Sequence, residues 1–114
     1  MKKFIFTVLG CGASGGVPRL GNNWGSCNPK EKKNHRLRCS LLVEKEVNSK
    51  KTVVLIDTGP DMRQQLLRAN VADLNGIIYT HSHADHVHGI DDLRMLVFKR
   101  RARLPVYADQ RTRK

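Results

Sequence analysis

Long hydrophobic runs are missing from this sequence. No apolar stretch approaches the ~18 residues that span a bilayer, so no segment reads as a membrane-spanning helix. Cysteine is scarce: three residues, an odd count without repeated spacing, argue against a fully paired disulfide scaffold. Reduced thiols in a cytoplasm are the simpler expectation. No low-complexity segment and no linker divides the chain, and 114 residues suit a single domain. Acids are few, 10 Asp and Glu against 21 Lys and Arg, for a net charge of +11. Histidine is absent after His88, and beyond Asp92 the one acid is Asp109.

What is present is unevenly distributed. Residues 1–56 carry a net +8, residues 57–96 a net −3 and residues 97–114 a net +6. An acidic, His-rich middle between basic flanks suits a metal cation in the middle and a polyanionic substrate nearby. A plainer reading of Lys99 to Arg103 is solvated surface. Lys2 and Lys3 before Phe4-Ile5-Phe6-Thr7-Val8-Leu9 faintly resemble a signal peptide. That six-residue stretch is shorter than the ~7–15 residues of a normal apolar region, and a first strand fits its β-branched and aromatic content better.

Periodicity predicts strands over 3–9, 39–46, 52–56, 76–80 and 103–107, with helices over about 60–70 and from Ile90 to Val97. Residues 10–38 read as a long loop rich in Gly, Asn, Pro and Lys, and residues 48–51 as a polar turn. Val53 to Ile56 is nearly all apolar and is expected to be buried on both faces.

His81-Ser82-His83-Ala84-Asp85-His86 follows the fourth strand directly. Three imidazoles and a carboxylate in six residues make a dense ligand set for Zn²⁺ or a similar divalent ion. On an extended segment His81 and His83 point the same way, and a turn then brings Asp85 and His86 round toward a second ion. Asp57 ends the third strand, in Leu55-Ile56-Asp57-Thr58-Gly59.

The pattern His81-x-His83-x-Asp85-His86, with Asp57 upstream, resembles the HxHxDH signature of the metallo-β-lactamase fold superfamily. Gly10-Cys11-Gly12-Ala13-Ser14-Gly15-Gly16-Val17-Pro18-Arg19 and the text from Asp85 to Arg94 resemble the branch containing phosphoribosyl cyclic phosphate phosphodiesterases. The resemblance covers essentially all of the chain. It implies an α/β (α+β) fold: the N-terminal half of an αββα sandwich, a mixed sheet with flanking helices. Residues 1–114 then form one incomplete domain whose C-terminal half is absent. His81 and His83 would bind a first ion, Asp85 and His86 a second, and Asp57 would orient ligands or take part in catalysis with Asp85. The implied cofactors are Zn²⁺ or Mn²⁺, two ions in a complete domain. The implied activity is metal-dependent phosphodiester hydrolysis, acting on a small cyclic phosphodiester through a hydroxide held by the metal. Family members continue with another His, a bridging Asp and a final His, which this sequence lacks. With two ligands per ion, weak turnover by this chain is expected.

Rival readings remain. The same signature serves RNA-processing nucleases, for which +11 and a nucleic-acid partner are apt. A non-enzymatic chain that binds metal or polyanions weakly is a third. Gly10-Cys11-Gly12-Ala13-Ser14-Gly15 also spells G-x-G-x-x-G, but Pro18, Gly21, Asn22, Asn23 and Gly25 forbid the helix that a dinucleotide site requires. Gly12 and Ser14 remain candidates for holding a phosphate through backbone N–H and hydroxyl groups, with a ligand-free tight turn as the alternative. His88 is a candidate substrate contact or a helix-start surface residue. Cys27, His35 and Cys39 could join a structural zinc site; free thiols are the favoured reading. Trp24 stacks a base or anchors the loop. Asp91 and Asp92 read as helix N-terminal charges. An uncovered apolar sheet face would favour association with a second copy.

Overall fold

A computed structural model of the chain describes residues 1–114. Five strands, β1 (Lys2–Gly10), β2 (Ser40–Val47), β3 (Lys50–Ile56), β4 (Gly76–Ile78) and β5 (Val106–Tyr107), form one sheet in sequence order. β1, β2 and β3 are antiparallel neighbours, and β4 and β5 join in parallel. The mixed pattern follows from the connections. Asn48 and Ser49, both at positive φ (49° and 67°), make a two-residue turn between β2 and β3. Lys50 and Lys51 therefore belong to the strand rather than to the turn that their polarity suggests. Parallel pairs need a crossover. β3 reaches β4 through α1 (Met62–Arg68). β4 reaches β5 through α2 (Ala84–Val87), a 3-10 turn over Ile90–Leu93 and α3 (Arg94–Arg100).

One sheet face holds the core. Leu42, Leu55 and Ile77 are cross-strand partners, all essentially without exposure, and they meet Met62 and Leu66 of α1 together with Leu74, Tyr79 and Leu93. The opposite face is open. Phe6, Val43 and Val54 lie in one cross-strand row, and Val8, Leu41, Ile56 and Ile78 in the next. Phe6 and Val8 are 65% and 66% exposed. The expectation that Val53 to Ile56 is buried on both faces is corrected accordingly. Only Leu55 is buried; Val53, Val54 and Ile56 are partly exposed, because helices cover one face alone.

The long loop is not structureless. It doubles back on itself: Val17 and Arg36 exchange backbone hydrogen bonds of 2.9 and 3.0 Å, and Gly12 N–H donates to Leu37 O at 2.8 Å. Its end is clipped to α1 by a bidentate pair. Arg38 Nε donates to Asp61 Oδ2 at 2.6 Å and Nη2 to Oδ1 at 3.0 Å, while Arg38 N–H donates to the same carboxylate at 2.9 Å. Gln65 Nε2 donates to Arg38 O at 2.8 Å, fixing the same residue from the next turn of the helix. The Arg38 guanidinium holds the Asp61 carboxyl below its usual range.

A depressed folded-state value means that Asp61 stabilises the protein above the unfolded value of about 3.9, and that this contribution is lost as pH falls through the folded value. Asp61→Asn should lower stability by about 1.5–3 kcal/mol at neutral pH, the scale of charged hydrogen bonds. It should also flatten the acid limb of the urea midpoint measured from pH 6 to pH 3. An unchanged midpoint at neutral pH would remove the clip from the stability argument.

Candidate metal centre

The site is built where β3 and β4 end side by side. Asp57 N–H donates to Ile78 O at 2.9 Å, which places the Asp57 side chain beyond the strand ends. Asp57 sits at φ +68°, a conformation that Asp tolerates better than most residues. Three groups compensate for it. Thr80 N–H donates to Oδ1 at 2.8 Å, Thr80 Oγ1 to Oδ2 at 2.7 Å, and His86 Nδ1 lies 2.6 Å from Oδ2.

These bonds set two imidazole tautomers. A carboxylate oxygen only accepts, so His86 Nδ1 carries a proton, and in the neutral ring the lone pair lies on Nε2, the form that binds a metal. The Thr80 hydroxyl gives its single proton to Asp57, so it accepts from His81 Nδ1 at 2.8 Å. In the neutral ring His81 Nε2 thereby keeps its lone pair. Such partners orient metal-binding histidines in general. The rings gather: His81 and His86 centroids are 4.1 Å apart, His81 and His83 4.5 Å. Asp85 Oδ2 lies 3.3 Å from His86 Nε2.

The segment Asp57-Thr58-Gly59 is stitched to the histidine turn by backbone. Thr58 N–H donates to His86 O and Gly89 N–H to Thr58 O, both at 2.8 Å. The approach is so close that a Cβ on Gly59 would stand 2.6 Å from Asp85 O, and one on Gly89 would collide with Gly59 O. Beneath this seam the Thr58 hydroxyl and Tyr79 OH are 2.6 Å apart and fully buried. Burial, aided by the Asp57 charge, pushes the Tyr79 phenol up and keeps it protonated.

The sequence-expected residues are not all in one place. His81, His83, Asp85, His86 and Asp57 come together, with α2 supplying the turn at Ala84–Val87 that brings His86 back over Asp57. No three His, Cys, Asp or Glu side chains surround one point as a finished cage. The residues nevertheless fit a divalent ion in donor chemistry and in tautomer. His88 is exposed and borders a cavity of about 560 Å³ with Ser82, Tyr79 and Arg113. Gly12 is buried with its N–H committed to Leu37 O, while Ser14 is exposed in the loop. Cys11, Cys27 and Cys39 are free thiols. His35 packs its ring edge-on against Trp24 at 4.8 Å. Burial, reinforced by Asp57 and Asp85, pushes the Cys39 thiol up. Sequence reasoning missed Thr80, Thr58 and Tyr79 as parts of the site. The available signal was a hydroxyl residue beside each motif.

A family model described as "Beta-lactamase superfamily domain" matches residues 52–114. The chain is 41% identical over 103 residues to an octanoyltransferase of Porphyromonas gingivalis, covering 90% of this chain and 20% of that protein. It is 31% identical over 107 residues to exodeoxyribonuclease YycJ of Bacillus anthracis, covering 94% of this chain and 30% of that one. Among solved structures, a diphosphatase from the PhnP family superposes with a TM-score of 0.85 at 42% identity, over 97% of this chain and 44% of that one. Zn²⁺-bound PqqB from Methylobacterium extorquens superposes at 0.57 with 21% identity, over 82% and 34% of the two chains, a likeness of fold. The chain thus spans less than half the length of each of these relatives. Its mixed sheet with flanking helices is the metallo-β-lactamase fold, and the chain belongs to the beta-lactamase superfamily.

Proposed function

We propose that this chain carries the first part of a metal-dependent phosphodiesterase centre, acting on a small phosphodiester of the cyclic ribose phosphate kind. The observation that carries the reading is the Asp57 network, which holds His81 and His86 through their Nδ1 atoms with the ring centroids 4.1 Å apart. His81 and His83 would hold one divalent ion, Zn²⁺ or Mn²⁺, and Asp85 with His86 a second. When bound, such ions supply a nucleophile at neutral pH and neutralise charge on the transferring phosphoryl group.

The chain's own residues do the rest. Asp57 keeps the two imidazoles in the ligating tautomer and is itself fully engaged, so its role is positioning rather than direct chemistry. The buried Thr58–Tyr79 pair keeps the seam between Asp57 and the histidine turn dry and rigid. His88 and Ser14 are the proposed substrate contacts, His88 standing one residue past the α2 turn. The relatives called a diphosphatase and an exodeoxyribonuclease support phosphoryl chemistry. The second of these, with the net charge of +11, favours a nuclease as the alternative reading. The three free thiols suit a reducing cytoplasm, where we place the protein.

The test is hydrolysis of bis-p-nitrophenyl phosphate and of a cyclic ribose phosphate, with Mn²⁺ or Zn²⁺ added. Turnover should be slow. His83→Ala and Asp85→Ala should each remove the metal-stimulated part, by about a hundredfold or more if a ligand is lost. Hydrolysis indifferent to both substitutions overturns the reading. Thr80→Val and Asp57→Asn probe the network separately. Each should weaken Co²⁺ or Zn²⁺ binding by about 10–100-fold in a titration, the usual effect of removing a partner behind a ligand. Unchanged affinity in both would show that the tautomer lock is unimportant.

A further inference from the structure

A groove of about 740 Å³ lies outside the histidine cluster, along the end of β1, which is an edge strand of the sheet. Its floor is Leu9, Gly10 and Cys11. One wall is the segment from the Lys32–Asn34 turn to Leu37, carrying Lys32, His35 and Arg36; the other is α1, carrying Gln64 and Arg68. No carboxylate lines it. Lys32, Arg36 and Arg68 take part in no ion pair, in contrast to Arg38 next to Leu37. The acids on the flanking elements are engaged elsewhere: Asp61 holds Arg38, and Glu31 accepts from Lys33 N–H at 3.1 Å.

Two of the polar side chains are held in place before any ligand arrives. Arg36 Nη1 donates to the carbonyls of Lys33 and His35, which leaves Nε and Nη2 free. The His35 ring rests edge-on against Trp24. A guanidinium restrained by its own backbone loses little freedom when it grips an oxyanion. Three permanent cations converging on a space of this size match a ligand that is multiply charged and comparable to a nucleotide in bulk.

We propose that this groove is an anion site for a phosphate-bearing ligand with at least two negative charges, held by Arg36, Arg68 and Lys32. Arg36 supplies its free fork edge, Arg68 closes from α1, and Gln64, one helical turn before Arg68, offers an amide to the same ligand. The groove is separate from the metal centre but joined to it through one stretch of chain. Arg38 follows Leu37, and its Cβ would stand 3.9 Å from a Cβ placed on Gly59, the residue packed against the Asp85 backbone.

The experiment is a calorimetric titration of the 114-residue chain with inorganic pyrophosphate and, in a second arm, ADP. Both are run at low salt with EDTA present, so that metal at the histidines contributes nothing. Binding should be saturable. Arg68→Ala and Arg36→Ala should each weaken it about tenfold, the scale of a charged hydrogen bond to phosphate. Arg111→Ala, which removes the same charge outside the groove, should leave it unchanged. Arg68 is exposed on α1, so its substitution tests the site even if Arg36→Ala disturbs the loop. Tighter binding of ADP than of pyrophosphate identifies a nucleotide as the occupant, and equal binding a free polyphosphate. Absent binding overturns the proposal, as does equal weakening by Arg111→Ala and Arg68→Ala. Because no metal is present, neither result depends on whether the histidine centre hydrolyses phosphodiesters.

Discussion

One carboxylate governs the functional end of this molecule. Asp57 is 3% exposed, sits in a left-handed conformation and accepts three hydrogen bonds from two residues of the neighbouring segment. A buried, unpaired carboxylate would cost far more than it returns. The bonds from Thr80 and His86 are therefore conditions for folding the strand ends together as well as for orienting imidazoles. Its backbone conformation carries strain of order 1–3 kcal/mol, sustained because the surroundings over-determine it. The chemistry and the local fold consequently share one set of contacts.

Around that carboxylate the architecture is asymmetric. Helices α1 and α3 lie on one side of the sheet, where Leu42, Leu55 and Ile77 are sealed. The other side leaves Phe4, Phe6 and Val8 open to solvent. The site therefore rests on a core only one layer deep, and its precision depends on backbone seams more than on packing. The pairing of Thr58 with His86 and Gly89 is one seam. The clip from Arg38 to Asp61 is another, and it ties the long loop to the helix that follows Asp57. The basic groove lies beyond that clip, between the loop and α1.

The sequence by itself determined the elements and the chemistry. Apolar runs of fixed period mark β1, β3, β4 and α1, and the donor types in His81 to His86, three imidazoles and a carboxylate, suit a divalent metal. Boundaries were less legible where polar residues join a strand, as Lys50 and Lys51 do once the Asn48-Ser49 turn sets the register. The loop over 10–38 looked unstructured because its order comes from pairing with itself and with Asp61, contacts 19 to 26 residues apart that no local pattern encodes. Only the tertiary structure decided which face of the sheet is covered, and that Asp57 accepts hydrogen bonds from Thr80 and His86 where the strands end. It also decided that Lys32, Arg36 and Arg68 share one groove. Hydrogen-bond partners and the sign of the field at a point depend on distance in space, and spacing along a chain fixes that distance only within an element.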